Sequence, residues 1–359
     1  LPLAVVLRPF GSGVRLWLGV STEEAHSRVL KISVDWRIMI FDPISRFLNQ
    51  LPPSGRGAVL LVTGISVFGF TDNLTLGVSD MVGVGQFHFS RSMIAVVFVF
   101  VMGRLFRLSV MPRNLKAVAV RTLFIMMSML LYFSVLPMMP IAEAGAGLFT
   151  SPIFVLLFSI LFFRERVGWR RILAVAAGSA GVLLVLKPGA EGFSIYHLLP
   201  VLAGASYAIG SICTWRYCRD ESPLALLMCF LIAIGGAGWL YTSLLTAFPA
   251  GQALLTEAPF LFRGWQEVVD MRFWVWMVFI ALGASVALSM MTRAYQLTQT
   301  SYATIYEYAY LLSAGFFSWI FWGIVPGMMS FFGIALIIIA GVVITIAQMD
   351  KGAQMESGN

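Results

Sequence analysis

From residue 57 onward the chain is a succession of long apolar runs, each ended by Pro, Gly or charge. A membrane-spanning helix needs about 20 mostly apolar residues. Ten runs meet that length, at roughly 57–76, 86–106, 115–136, 140–163, 169–187, 194–214, 223–247, 273–297, 301–322 and 327–347. They are too long for barrel strands and do not alternate every second residue. The pattern predicts an all-α polytopic membrane protein with ten transmembrane helices, spans 1 to 10. The first 50 residues read differently. The stretch LPLAVVLRPFGSGVRLWLGV is broken by Arg8, Gly11, Gly13 and Arg15, so it predicts no span. It also lacks the basic-then-apolar order of a signal peptide. Residues 1–56 are expected to form a cytoplasmic or interfacial segment, and Met39 reads as a natural start that would make residues 1–38 dispensable.

The loops set the orientation. Arg104, Arg107, Arg113 and Lys116 lie between spans 2 and 3, Arg164, Arg166, Arg170 and Arg171 between spans 4 and 5, and Arg216 and Arg219 between spans 6 and 7. The opposite loops hold Lys187, Arg263 and Arg272. Basic residues collect on the cytoplasmic side, so both termini, including the tail 348–359, are expected there in a cytoplasmic (inner) membrane. The outer loop at 248–272, with Trp265, is expected along the interface.

Composition sharpens this picture. The chain is 59% hydrophobic and 11% charged, against about 25% charged in soluble domains. A soluble enzyme and a disordered chain are both excluded by those values. The net charge of +7 arises in the loops, so it sets topology and does not point to nucleic acid. Cys213, Cys218 and Cys229 have no metal or disulfide spacing, and His26, His88 and His197 are scattered. No Walker A loop, HExxH, GxSxG or dinucleotide fingerprint appears in a fitting context. No enzyme activity and no cofactor is expected.

The spans also repeat. Span 4 into span 5 and span 9 into span 10 share a small-residue opening, a long aromatic-rich helix, a short joint and a helix bearing Ala180-Gly181-Val182 or Ala340-Gly341-Val342. Five spans is an odd number, so a second copy enters the membrane from the opposite face. The expectation is two inverted five-helix repeats, 57–190 and 191–347, an arrangement that recurs in alternating-access transporters. Without an ATP motif, transport would be secondary.

Particular residues carry a family resemblance. Ser90-Arg91-Ser92, PMMPIAEAGAGLFTSPIF (137–154), LFFRERVGWRR (161–171), GSAGVLLVLKPG (178–189) and Tyr306-Glu307-Tyr308 resemble the EamA type of drug/metabolite transporter. The likeness runs over roughly 57–347. It implies ten helices in two five-helix repeats and a metabolite substrate. Relatives in that group move amino acids, nucleotide-like cofactors, riboflavin and other metabolites. The halves depart from symmetry: Glu165 follows span 4, whereas Ile324 of Gly323-Ile324-Val325-Pro326 stands at the matching place after span 9. Pro152 of span 4 has no counterpart near Leu311.

Ionisable residues within spans are costly, about 2.5–3.5 kcal/mol at a helix centre, and so mark pathways or ties. Glu307 lies about 9 Å into span 9 at about 1.5 Å per residue and is a candidate to bind a proton, a cationic group or a neighbouring Arg. Arg91 can take a carboxylate or phosphate in a bidentate pair, or tie to Glu143. Tyr302, Tyr306 and Tyr310, spaced at i, i+4 and i+8, predict one aromatic stripe suited to a ring or a cation. These six residues are the candidate substrate-binding set. Glu307, Arg293 and Asp72 are the candidate coupling or gating set, with Arg293 expected to neutralise Glu307. Arg121 is expected to anchor span 3 at its inner end, and glycines such as Gly145, Gly147, Gly178 and Gly238 to form packing seams. The leading expectation is secondary transport of a small polar metabolite, an amino acid or amine, in a monomer or dimer held in the lipid bilayer, with coupling to a proton or counter-substrate. Uptake or exchange of an adenine- or flavin-bearing metabolite is the alternative, and a structural subunit of a membrane complex the alternative of another class.

Overall fold

A computed structural model describes residues 4–10, 13–19, 32–34, 50–164, 169–186, 196, 198–298, 303, 306–324 and, near the end, 327–329, 331–333, 335, 336 and 339. Tyr302, Glu165, Lys187, Val325, Pro326, the Ala340-Gly341-Val342 match, Met39 and the tail 348–359 lie outside these residues. Two units form, Leu1–Arg56 and Gly57–Asn359.

The first unit departs from the expected plain segment. It carries a small antiparallel sheet in the order β1-β2-β3, with β1 at Ala4–Phe10, β2 at Gly13–Gly19 and β3 at Ile32–Val34. Arg8 pairs with Arg15 across the β1–β2 hairpin.

The second unit is all-helical among the described residues. Its helices are α1 (Pro53–Thr75), α2 (Val84–Phe106), α3 (Leu115–Phe133), α4 (Ile141–Leu148), α5 (Ser151–Phe163), α6 (Trp169–Leu186), α7 (Leu198–Tyr217), α8 (Pro223–Ala247), two short helices α9 (Gln252–Glu257) and α10 (Pro259–Phe262), α11 (Met271–Leu297) and α12 (Ala309–Trp322). Seven stretches among the described residues are long and apolar enough to cross a membrane. They correspond to spans 1, 2, 3, 4, 6, 7 and 8. The chain is therefore a multi-pass helical membrane protein. Helices α6 and α12 lie where spans 5 and 9 are expected, and span 10 is described only in part.

Packing joins the early and late helices. Helix α2 lies against α8, α3 against α7, and α11 against α2, α8 and α7. The α2–α8 seam is a backbone-to-backbone approach: a Cβ on Gly238 would stand 2.4 Å from the Gly85 carbonyl oxygen. Small residues let helices meet this closely in lipid, where dispersion and not the exclusion of water drives association. The outward faces keep large apolar residues such as Val97, Leu123, Phe162, Trp239 and Phe279 exposed, as a lipid-facing surface requires.

Two spans are broken. Span 4 is two helices, α4 and α5, separated at Phe149–Thr150 with Pro152 in the first turn of α5. Span 9 is interrupted as well: a turn occupies Glu307–Tyr308 and α12 begins at Ala309. The sequence marks the first break with a proline and leaves the second unmarked. Around both breaks the backbone uses i to i+3 bonds, Thr150 N–H to Gly147 and Tyr310 N–H to Glu307 among them.

Candidate functional site

The two breaks face each other. Ser151, the first residue of α5, donates its hydroxyl to Glu307 Oε2 at 3.4 Å. Gly145 of α4 leaves room for the Tyr310 ring, since a Cβ there would lie 2.5 Å from Tyr310 Cε1. Helix N-termini carry partial positive charge, so the start of α5 is a favourable neighbour for a carboxylate. Discontinuous helices at membrane depth are tolerated where their freed backbone groups line a protein-enclosed or wet space.

Glu307 is fully buried. Tyr207 of α7 donates to its Oε1 at 2.7 Å, and Tyr295 of α11 donates to the same oxygen. The two tyrosine rings meet edge to face at 6.2 Å between centroids. A buried carboxylate must find donors or a cation. Here the described residues supply three hydroxyls, from α5, α7 and α11. Tyr308, next in sequence, is also buried, and its hydroxyl has no hydrogen-bond partner among the described residues.

One turn further along, Tyr310 reaches a second buried carboxylate. Tyr310 donates to Asp72 Oδ2 at 2.7 Å and Tyr132 of α3 donates to the same oxygen at 2.8 Å. The two hydroxyl oxygens also contact each other. Each phenol has one hydrogen to give, so two hydrogens serve three oxygen–oxygen contacts, leaving this triangle able to accommodate one more proton. Asn73 beside it ties α1 to the Ala314 carbonyl at 3.1 Å. Two carboxylate–tyrosine clusters, drawn from α1, α3, α5, α7, α11 and the span-9 segment, thus lie on successive turns of one broken helix.

Arg91 of α2 is buried beside this axis. Its Nη2 bonds His88 Nδ1 at 3.2 Å, and its guanidinium lies over the rings of Phe87 and Phe133 at 5.5 and 5.1 Å. It does not snorkel to headgroups, and its partners are these groups rather than Glu143. Glu143 is half-buried in the first turn of α4. Arg121 corrects the simple anchoring expectation. It is buried, and its three nitrogens bond Thr214, the Leu226 carbonyl and Thr292, each at 3.3 Å, tying α3 to α7, α8 and α11.

Two further expectations change. Arg293 does not neutralise Glu307: it is exposed and bonds Gln296 at 3.3 Å. It lies two residues before Tyr295, which turns its side chain away from the face that Tyr295 buries. The tyrosine stripe is interrupted between Tyr306 and Tyr310 by the turn at Glu307–Tyr308, so these two do not stand on one unbroken helical turn. Tyr306 is half-buried, while Tyr308 and Tyr310 are buried; Tyr302 lies outside the described residues. The sequence reading missed Tyr132, Tyr207, Tyr295 and Ser151, and set His88 aside. Their common signal is a hydroxyl or imidazole in the interior of an otherwise apolar run.

Both ends of this axis are laced. At one end Gln86 and Gln266 exchange two bonds, at 2.8 and 2.9 Å, and Trp265 reaches Ser243 at 3.1 Å. The loop at 248–272 is therefore fastened to α2 and α8. At the other end Glu221 accepts from the backbone N–H groups of Arg113 and Asn114, and Gln296 donates to the carbonyls of Cys218 and Glu221.

A multi-pass helical bundle with broken spans and a buried polar axis defines a membrane transporter. The sequence profile of the EamA-like transporter family matches residues 55–187. A riboflavin transporter of Brucella anthropi is 30% identical over 218 residues, covering 59% of this chain and 69% of that protein. The chain belongs to the EamA-like family of the drug/metabolite transporter superfamily. A pseudopaline exporter of Pseudomonas aeruginosa is 22% identical over 301 residues, 82% of this chain and 97% of that one. An S-adenosylmethionine uptake transporter of Rickettsia bellii is 30% identical over 109 residues, 29% of this chain and 38% of that one. A protein of known crystal structure shares the fold with a TM-score of 0.61 at 16% identity, over 81% of this chain and 98% of that chain.

Proposed function

We propose that the chain is a secondary transporter that moves a small, ring-bearing polar metabolite of the flavin or adenine kind across the cytoplasmic membrane by alternating access. Its ten spans form two inverted five-helix repeats, with both termini on the cytoplasmic side. The observation that carries this reading is the meeting of the span-4 and span-9 breaks at Glu307, one turn from the Asp72–Tyr132–Tyr310 cluster. In inverted-repeat transporters, paired discontinuous helices hold substrate and coupling ion near the midplane. Tyrosine faces suit a planar ring, and buried carboxylates suit a proton or a cationic group. The hydrogen bonds lacing each end are the contacts that must break in turn as the two gates open. The riboflavin and S-adenosylmethionine transporters among the relatives agree with a ring-bearing substrate.

A zwitterionic amino-acid-like metabolite is the second reading. It is favoured by buried Arg91 within electrostatic reach of buried Asp72, and by the match to nearly the full length of the pseudopaline exporter. Thermal unfolding of the purified chain separates the two. A ligand at about 100 times its Kd stabilises the folded state by about 2.7 kcal/mol. Riboflavin or S-adenosylmethionine is expected to raise Tm while amino acids leave it unchanged. A rise with amino acids alone would favour the second reading, and no rise with any of them would contradict both.

A further inference from the structure

His88 and Arg91 lie one turn apart on α2 and share a feature: unused nitrogen donors. The bond from Arg91 Nη2 to His88 Nδ1 makes Nδ1 the acceptor, which assigns the imidazole hydrogen of the neutral ring to Nε2. That Nε2 and Arg91 Nε are both buried and have no hydrogen-bond partner among the described residues. His88 is 0% and Arg91 2% exposed, so neither donor is served by bulk solvent. A buried donor left unmatched is destabilising. Two of them on neighbouring residues, one cationic, call for an acceptor that is not part of the chain.

The surroundings narrow what that acceptor is. Phe87 and Phe133 lie under the guanidinium and also meet the imidazole edge to face, at 5.2 and 5.1 Å. Asp72 acts electrostatically on Arg91, yet no ion pair joins them, and Asp72 Oδ2 already accepts from Tyr132 and Tyr310. The guanidinium thus keeps its charge without a contacting anion among the described residues. We infer that His88 and Arg91 form a two-donor subsite that receives the carboxylate or phosphate oxygens of the substrate, with Phe87 and Phe133 beside the ring that carries them. This rests on the proposal that the buried axis lines the substrate path. Within ring-bearing metabolites it favours those with an anionic oxygen group, so S-adenosylmethionine, with its carboxylate, is expected to raise Tm further than riboflavin, which has none. Guanidinium–oxyanion bonds are charge-assisted, and the aromatic walls exclude competing water.

Nitrogen NMR on the full chain tests the subsite without any transport measurement. Only three histidines are present, so His26→Gln and His197→Gln leave His88 as the sole labelled imidazole. The probes are benzoate, phenyl phosphate and the neutral control benzyl alcohol. At least one anion is expected to move the His88 Nε2 resonance saturably, with a Kd about tenfold or more below that of benzyl alcohol. The tighter anion assigns carboxylate or phosphate as the preferred group. Arg91→Lys, which keeps charge and loses the fork, is expected to weaken that anion about tenfold. The wild-type titration decides the matter even if this variant folds poorly. An unmoved resonance with both anions, or an equal response to benzyl alcohol, would overturn the subsite. If a metabolite nonetheless raised Tm in that case, the transport reading would stand alone. Anion binding at His88 with no metabolite stabilisation would instead count against the transport reading.

Discussion

Glu307→Gln is expected to lower substrate flux in proteoliposomes by about 100-fold or more and to remove its dependence on pH, while leaving the protein folded. The physical reason is the shape of the cluster. Tyr207 and Tyr295 both donate to Oε1, and an amide oxygen in the same place can accept both bonds. What glutamine removes is the charge and the ability to take up a proton. Hydrogen bonds to a charged group contribute about 1.5–3 kcal/mol against about 0.5–1.5 for neutral ones, so taking the charge out of two such bonds in a conformational step supplies a factor of that size. The groups facing this carboxylate are hydroxyls of Ser151, Tyr207 and Tyr295, with Arg293 turned outward. Among the described residues, no other acid shares the cluster to take over its proton. Glu307→Ala should behave differently: it strands two buried phenol hydroxyls and lowers Tm as well. Wild-type flux and pH dependence in a folded Glu307→Gln protein would remove this residue from coupling.

Asp72→Asn is expected to reduce flux by about 10- to 100-fold, again with little change in Tm. The asparagine oxygen can still accept from Tyr132 and Tyr310, but the triangle can no longer gain and lose a proton. Tyr310 makes the test sharper. It touches Asp72 through its hydroxyl and stands one turn from Glu307, so Tyr310→Phe should cut flux and couple to Asp72→Asn. In a double-mutant cycle the two changes are expected to fall short of additivity, because each removes the same contact. Full additivity would mean that the Asp72–Tyr310 bond plays no part in transport. Flux equal to wild type in Asp72→Asn would confine Asp72 to a structural tie.

Some of this architecture is written plainly in the sequence and some is not. Span positions are legible because hydropathy over about 20 residues is a summed signal, robust to single substitutions. Glu307, Asp72 and Arg91 are legible for the opposite reason: each is one costly group in an apolar run. Their partners are not. Tyr132, Tyr207 and Tyr295 are amphipathic, and a tyrosine in an apolar run reads equally well as packing or lipid contact. Only the crossing of α3, α7 and α11 brings their hydroxyls to the carboxylates. Pro152 announces the break in span 4, whereas the turn at Glu307–Tyr308 has no proline or glycine to mark it. A periodicity argument carried through that turn, as from Tyr306 to Tyr310, loses its phase. Arg121 and Arg293 show the same limit: both lie near helix ends by sequence, yet one is buried across four helices and the other faces outward. The N-terminal hairpin was hidden by its apolar strands, which resemble a failed span more than a sheet.

The most direct measurement is accessibility at Ser151, where the two broken spans meet. In a background with Cys213, Cys218 and Cys229 replaced by serine, Ser151→Cys can be challenged with a membrane-impermeant thiol reagent from either face of oriented vesicles. If the breaks bound a chamber that opens by turns, the thiol reacts from both faces, and a bound substrate slows both reactions. A thiol that reacts from neither face, or from one face under every condition, would contradict alternating access through this site.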